Sequence, residues 1–169
     1  RPIPVVSRSG FANEPPTDGS LPANREWARQ LLRRAGEIAA QGDGLDETIA
    51  LSLADLDPGA AAPAAREAAQ RWAALRHEGR AVRLRRAALA TAAARDRLIT
   101  ELAADTGAPF PELDAAVSYL VDSARYAAQL ADGLRVIRGA SYVPEGLVLV
   151  VAGPSAPLAA QAAAVLGVL

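Results

Sequence analysis

The uncharged stretch at residues 146–169 constrains the fold more than any other part of the sequence. Its first part, 146–153, is a continuous run of apolar residues rich in Val and Leu, which is typical of a strand buried on both faces. Gly153 and Pro154 end this strand, and the alanine-rich run from Leu158 onward has the composition of a helix. A strand, a tight turn and a helix make the first half of a parallel βαβ unit, which needs a second strand to pair with. We therefore expect residues 146–169 to open a larger α/β domain.

An uncharged run of this length is also compatible with a membrane span. Pro154 and Pro157 interrupt the run, however, and its composition changes from β-branched to alanine-rich across them. The Lys or Arg residues that would orient a span are absent on its C-terminal side. These features favour the buried strand, turn and helix, so we predict no membrane span.

Composition excludes several classes of function for this chain. Its 169 residues carry a net charge of −1, which favours neither nucleic acid nor an anionic membrane. There is no cysteine, and therefore no disulfide, thiolate metal site or thiol nucleophile. There is also no lysine for Schiff-base or P-loop chemistry. The N-terminus lacks a signal-peptide pattern, and we expect a cytoplasmic protein that binds no metal.

The chain divides into an extended arm at 1–21, a helical segment at 22–145 with one or two short strands, and the strand, turn and helix at 146–169. Repeated Pro and Gly deny regular hydrogen bonding to the arm. Within the helical segment we predict helices over about 22–41, 61–75, 80–105 and 110–133. We also predict a half-buried strand over 48–53 and short extended pieces over 135–138 and 141–143.

Helical spacing identifies the residues expected to face the core. They are Trp27, Leu31 and Leu32 in the first helix; Leu84, Ala88, Thr91, Leu98 and Leu102 in the long one; and Leu113, Val117, Leu120, Val121, Ala124 and Ala128 in the last. Trp72 joins Trp27 as a core or domain-contact residue. Gly107 is suited to a left-handed helix cap.

The polar residues that attract functional hypotheses have simpler structural interpretations. His77 has no neighbouring base or nucleophile and is expected at the surface. A solvated, salt-bridging face is predicted for the basic helix residues Arg76, Arg80, Arg83, Arg85, Arg86, Arg95 and Arg97. Helix-end capping accounts for Asp105, Glu112 and Asp114 more simply than a metal site does.

Several segments, in this order, resemble the amino-terminal part of the NAD(P)-dependent aldehyde dehydrogenase superfamily. They are residues 72–75, 80–88, 98–107, 143–152 and 157–158. Residues 10–18 and 21–27 resemble the lead-in to the L-glutamate γ-semialdehyde dehydrogenase module, including that of bifunctional proline utilization A. The resemblance implies a helix-rich α/β fold: an N-terminal fragment of a Rossmann-type domain, with a long helical segment before the first buried parallel strand.

The resemblance also implies a function. Family members oxidise an aldehyde to a carboxylate with NAD, using a cysteine thiolate, an Asn oxyanion donor and a glutamate base. The cysteine and glutamate positions lie beyond Leu169, so the chain is not expected to act alone. Its expected partners are the remainder of the dehydrogenase domain, a proline dehydrogenase module in the same chain, and further copies in a homo-oligomer.

The expected site residues follow from the same resemblance. The end of the buried strand would contact NAD through Val151, Ala152, Gly153, Pro154 and Ser155, although without the resemblance this segment is simply a tight strand-to-helix turn. Ser155 stands at the position of the oxyanion Asn, and no other catalytic position is present.

On the helix predicted over 110–133, Asp122 and Tyr126 match the family pattern. Ser123 instead replaces an aromatic residue that flanks the substrate, and Ala116 replaces an acidic one. These departures, together with Ser155, leave open an alternative function: a degenerate, non-catalytic module that serves assembly or protein interaction.

Overall fold

The computed structural model describes residues 11–41, 57–134, 139, 142, 146–151 and 158–168. Six helices are found in these ranges: α1 (Pro22–Gln41), α2 (Pro58–Ala73), α3 (His77–Ala93), α4 (Arg95–Thr106), α5 (Phe110–Gly133) and α6 (Leu158–Val168). The helices predicted at 22–41, 61–75, 110–133 and after residue 158 are confirmed, the second with its start three residues earlier.

Local sequence explains where α2 begins and where α4 ends. Asp57 caps α2, because its Oδ1 accepts the N–H of Gly59 at 2.8 Å and Pro58 occupies the first helical turn. α4 ends at Gly107, which has φ of 64° and donates its N–H to the carbonyl of Ala103 at 3.0 Å. The left-handed cap predicted for Gly107 is therefore confirmed.

The single helix predicted over 80–105 is wrong, because two helices occupy this range. They meet at Ala94, whose φ and ψ are −85° and 6°. Both helices pack on α5, but only the second also packs on α1: Ala81, Leu84 and Ala88 of α3 lie against α5, whereas Ile99 of α4 lies in the cluster shared by α1 and α5. Alanine is the best helix former, so no residue at this point signals a break.

The core is made of helix faces. α1, α4 and α5 share one cluster, to which Leu31, Ile99 and Val117 contribute, and Trp27 packs against it. α3 and α5 share two smaller clusters, covered by Trp72 and Leu166. All six residues predicted on the α5 stripe are buried, whereas Leu32 of α1 is exposed and its prediction is wrong.

The predicted strand at 146–153 is not confirmed. Its described residues, 146–151, form neither helix nor strand, and Leu149 and Val151 are 84% and 82% exposed instead of buried. A strand needs a neighbour for its backbone hydrogen bonds, and none of the described ranges supplies one. The strand at 48–53 and the extended piece at 135–138 lie outside the described residues, and only Tyr142 of 141–143 is described. Within the described ranges, no helix combines the length and apolar composition needed to cross a bilayer.

Candidate functional site

Residues 11–19 lie against α5 through one buried residue, Glu14. It is 8% exposed, whereas its neighbours Asn13 and Pro15 are exposed. The backbone N–H of Glu14 donates to Oδ1 of Asp122 at 2.8 Å. The ring of Phe11 meets Tyr126 edge-on, with centroids 5.7 Å apart. This segment therefore carries a buried charge that the sequence analysis did not assign to it.

The carboxylate of Glu14 is bound by Arg95 at the start of α4. Nη2 of Arg95 donates to Glu14 Oε2 at 2.6 Å and to Ser118 Oγ at 2.9 Å. Its Nη1 donates to the backbone oxygen of Asp114 at 3.1 Å and also pairs with the Asp114 carboxylate. The side chains of Arg95, Glu14 and Asp114 are only 6%, 3% and 7% exposed. A charge so deeply buried is retained only when it is paired and hydrogen-bonded, as these are.

A second arginine completes the group that we call the Arg95 cluster: Glu14, Arg95, Asp114, Asp122 and Arg125. Nη2 of Arg125 lies 3.2 Å from Glu14 Oε1, and its Nη1 lies 3.6 Å from Asp122 Oδ1. Three carboxylates thus face two guanidinium groups, so the cluster carries one excess negative charge when all its members are ionised.

Asp122 is the member of the cluster whose pKa is shifted. Burial, the largest effect, raises its pKa above the ordinary value, and the nearby Glu14 carboxylate acts in the same direction. The N–H of Glu14 and the charges of Arg125 and Arg95 oppose the shift. Asp122 is therefore held in a place where a proton is gained more readily than in water.

A surface cavity of about 550 Å³ borders the cluster. Residues of the N-terminal segment, the first turns of α1 and the first half of α5 line it, among them Glu14, Thr17, Asp114, Ser118, Tyr119 and Asp122. The hydroxyl oxygen of Thr17 is buried there with no hydrogen-bond partner in the structure. A small molecule in this cavity would lie beside three acidic members of the cluster, Glu14, Asp114 and Asp122.

Two corrections follow for the polar residues of these helices. Arg95 was predicted on a solvated face and Asp114 at a helix end as a cap, but both lie buried in the cluster. Helical spacing carries a signal for each: Arg95 lies four and eight residues before the buried Ile99 and Ala103, and Asp114, Ser118 and Asp122 repeat every four residues along α5. Polar residues at core-facing positions are the pattern that could have found the cluster.

Other polar predictions agree with the structure. Arg85 pairs with Asp132, and Arg97 lies 3.5 Å from Glu101, both at exposed or half-buried positions. The prediction for His77 is confirmed only in part, because its side chain is 27% exposed and its Nε2 lies 3.3 Å from Oε1 of Glu78. Glu112 occupies the first turn of α5, where a carboxylate complements the helix dipole.

The α5 residues singled out by the family resemblance fall into two groups. Asp122 and Tyr126, which match the pattern, both contact the N-terminal segment. Ala116 and Ser123, which depart from it, are half-buried and one heptad apart, so they lie on the same face of the helix. The residues that match are therefore those that hold residues 11–19 in place.

The predicted cofactor residues are described only in part. Val151 is 82% exposed, and its contact with a cofactor stays a prediction. Ala152, Gly153, Pro154 and Ser155 lie outside the described residues, and their contact with NAD stays a prediction. Among the described residues, no group of three or more His, Asp and Glu side chains is arranged to hold a metal ion.

Comparison with known proteins adds one positive finding. No curated protein and no solved structure matches the chain significantly. The family model described as "Aldehyde dehydrogenase family" matches residues 43–161, which is more than half of the chain and includes α2 to α5 with the arginines and aspartates of the Arg95 cluster. Since that match covers most of the folded helices, the chain belongs to the aldehyde dehydrogenase family.

Proposed function

We propose that this chain is a segment of an NAD-dependent enzyme that oxidises glutamate γ-semialdehyde to glutamate in proline catabolism. The family match at 43–161 carries the proposal. The narrower substrate rests on the resemblance of residues 10–18 and 21–27 to the lead-in of that enzyme type. Those residues precede the match but pack on its helices: Glu14 binds Arg95, and the ring of Trp27 meets Phe110 edge-on at 5.1 Å.

In this proposal the chain supplies a wall of the substrate channel and the turn that contacts the cofactor. NAD, when bound, accepts the hydride that leaves the aldehyde carbon, and water supplies the second oxygen of the carboxylate. The chain contains no cysteine, so the nucleophile comes from the remainder of the dehydrogenase domain. Ser155 would face the developing oxyanion with a hydroxyl, where family members present an Asn amide.

The test compares this chain with the protein encoded by the complete gene. We expect the complete protein to form NADH from NAD and glutamate γ-semialdehyde, with a higher kcat/KM than for propionaldehyde. We expect the isolated chain to form none. Turnover by the isolated chain would contradict the proposal, and so would a complete protein that prefers the simple aldehyde.

A second function is favoured by the departures at Ser155 and Ser123: a non-catalytic dehydrogenase-like module that serves assembly. Replacing Ser155 with Asn in the complete protein distinguishes the two. If the protein is an enzyme with a weakened oxyanion site, the variant gains on the order of a hundredfold in kcat, because one such donor is worth about 3 kcal/mol. A non-catalytic module gains nothing, and the Ser155→Ala variant serves as the matched control.

The proposed partners can be tested in the same preparations. We propose a cytoplasmic homo-oligomer, joined in one chain to a proline dehydrogenase module. Sedimentation of the complete protein at several concentrations measures the oligomeric state. A fixed monomer mass would rule out the oligomer, and a complete gene without that module would rule out the fusion.

A further inference from the structure

The carboxylate of Glu14 is held in the way that proteins hold a carboxylate ligand. Each of its oxygens accepts from a different arginine: Oε2 from Arg95 at 2.6 Å and Oε1 from Arg125 at 3.2 Å. Guanidinium groups are the side chains best suited to carboxylates, and buried ones bind more strongly than exposed ones. The segment that delivers Glu14 is otherwise exposed at Phe11, Asn13 and Pro15.

The arginines keep partners of their own when Glu14 is left out of account. Arg95 still pairs with Asp114 and with Ser118 Oγ, and Arg125 still lies beside Asp122. Two guanidinium groups then face two carboxylates, and the charge of the remaining groups is balanced. Withdrawal of Glu14 therefore strands no unpaired buried charge, so the arginines can stay in place and keep their orientation.

The bordering cavity reaches Glu14 and three of its neighbours, whereas Arg95 and Arg125 do not line it. Its lining includes Glu14 itself together with Ser118, Asp114 and Asp122, and its volume of about 550 Å³ exceeds what a small carboxylate occupies. A monocarboxylate that enters in place of Glu14 restores the same total charge. Nothing in this replacement requires a new polar partner.

We propose that Arg95 and Arg125 form a binding site for small carboxylates, which Glu14 of the N-terminal segment occupies from within the chain. The site is independent of the proposed dehydrogenase activity. In the unaltered chain Glu14 competes at the high effective concentration of a tethered group, which is millimolar for short flexible tethers. A free carboxylate therefore binds measurably only when Glu14 is removed or displaced.

The test is chemical rescue of the full chain carrying Glu14→Ala. This substitution deletes a methylene and a carboxylate, which is the size of acetate. Thermal unfolding is followed by circular dichroism in sodium acetate and in sodium chloride of equal ionic strength. We expect Tm to rise with the logarithm of the acetate concentration above the Kd, by roughly 4 °C at about ten times the Kd, and no such rise in chloride.

Glu26→Ala is the matched control. Glu26 also lies between two arginines, at 3.0 Å from Arg29 and 3.3 Å from Arg33, but all three side chains are about half exposed or more. We expect acetate and chloride to act alike on this variant. Equal curves for Glu14→Ala in the two salts, or an equal acetate effect on both variants, would overturn the proposal.

A second measurement covers a Glu14→Ala chain that fails to fold in chloride. Recovery of its helical signal by acetate then supports the site. If it stays unfolded in both salts, hydrogen exchange of the unaltered chain decides. At about 1 M acetate, far above the millimolar effective concentration of Glu14, faster exchange of the Glu14 amide supports displacement from the site, and an unchanged rate overturns the proposal.

Discussion

Two parts of this molecule place one glutamate between two arginines, and their geometries are nearly the same. Glu14 lies 2.6 and 3.2 Å from Arg95 and Arg125, and Glu26 lies 3.0 and 3.3 Å from Arg29 and Arg33. They differ in burial: the Glu14 side chain is 3% exposed and that of Glu26 is 48% exposed. They also differ in reach, since Glu26 pairs within α1, whereas Glu14 joins residues 81 and 111 positions away.

The comparison shows that distance alone does not measure what an ion pair contributes. Water screens the exposed group and solvates any partner that is lost, so each pair contributes little. In the Arg95 cluster, loss of Arg95 leaves the carboxylates of Glu14 and Asp114 buried without their main counter-ion. The same kind of contact therefore holds residues 11–19 against the helices in one place and is only an exposed ion pair on the surface of α1 in the other.

Removal of Arg95 is expected to have the largest effect. Arg95→Ala leaves Glu14 and Asp114 buried without their main partner, and the expected loss in free energy of unfolding is about 3–5 kcal/mol. Urea unfolding followed by circular dichroism measures it, with Arg33→Ala as the exposed counterpart. Similar small losses of stability in Arg95→Ala and Arg33→Ala would show that the buried ion pairs contribute no more than the exposed ones.

An apolar substitution in the same helix as Glu26 calibrates this scale. Leu31 is 1% exposed and lies in the cluster shared by α1, α4 and α5. Leu31→Ala removes buried methyl groups and leaves a cavity, for an expected loss of about 3 kcal/mol by urea unfolding. Leu32→Ala is the control: Leu32 is 40% exposed, so its removal should lower the free energy of unfolding far less. A Leu31 loss well above that of Arg95→Ala would mean that apolar packing contributes more to the stability of the fold than the buried charges do.

Asp122→Asn should change stability in the opposite sense at neutral pH. Because burial raises the pKa of Asp122, the folded chain binds a proton on this group at a higher pH than the unfolded chain does. That group's contribution is present at low pH and is lost as pH rises through its folded pKa. Asparagine does not titrate and can still accept the Glu14 N–H. The variant should match or exceed the unaltered chain at neutral pH, with the difference shrinking toward about pH 4.

Asp18→Asn provides the control of opposite sign. The hydrogen bonds from Ser20 lower the pKa of Asp18, one of them from its backbone N–H at 2.8 Å. This group stabilises the fold above its ordinary pKa and loses that contribution as pH falls through its lowered value. For each variant, urea unfolding across the acid range gives the difference in free energy of unfolding from the unaltered chain. We expect this difference to change with pH in opposite directions for the two variants. Parallel slopes would show that the environment of Asp122 is not the cause.

Most of the helical fold could be predicted from the sequence, because it depends on local periodicity. The stripe through Val117, Val121 and Ala124 repeats at helical spacing, and these residues are buried as expected. The break at Ala94 could not be predicted, because alanine favours a helix and the additional packing of α4 on α1 is a long-range contact. Local spacing could not show that residue 14 meets residue 95, because the pair is long-range.

The candidate site was harder to predict for a physical reason. Arg95 stands among other helix arginines, and composition alone makes all of them solvated. Its burial depends on a counter-charge supplied by a segment whose prolines indicated only an extended arm. Residues 146–151 show the reverse: their composition predicts a buried strand, yet Leu149 and Val151 are exposed in this chain. Burial of a strand requires a neighbouring strand, and an apolar run in the sequence does not show whether one is present.

Glu26→Ala should have the smallest effect. Hydrogen bonds from Arg29, Gln30 and Arg33 lower the pKa of Glu26, so it is ionised and attracts both arginines at neutral pH. All three charged side chains are nonetheless at least 48% exposed, and salt at about 1 M shortens the screening length to about 3 Å. We expect the urea midpoint to equal that of the unaltered chain in high salt and to fall only slightly below it in low salt. Glu14→Ala, measured alongside, should lose stability in both salts. Equal losses of stability in Glu14→Ala and Glu26→Ala, with the same salt dependence, would show that burial does not distinguish the two ion-pair groups. The long-range contact of Glu14 would then need an explanation other than burial.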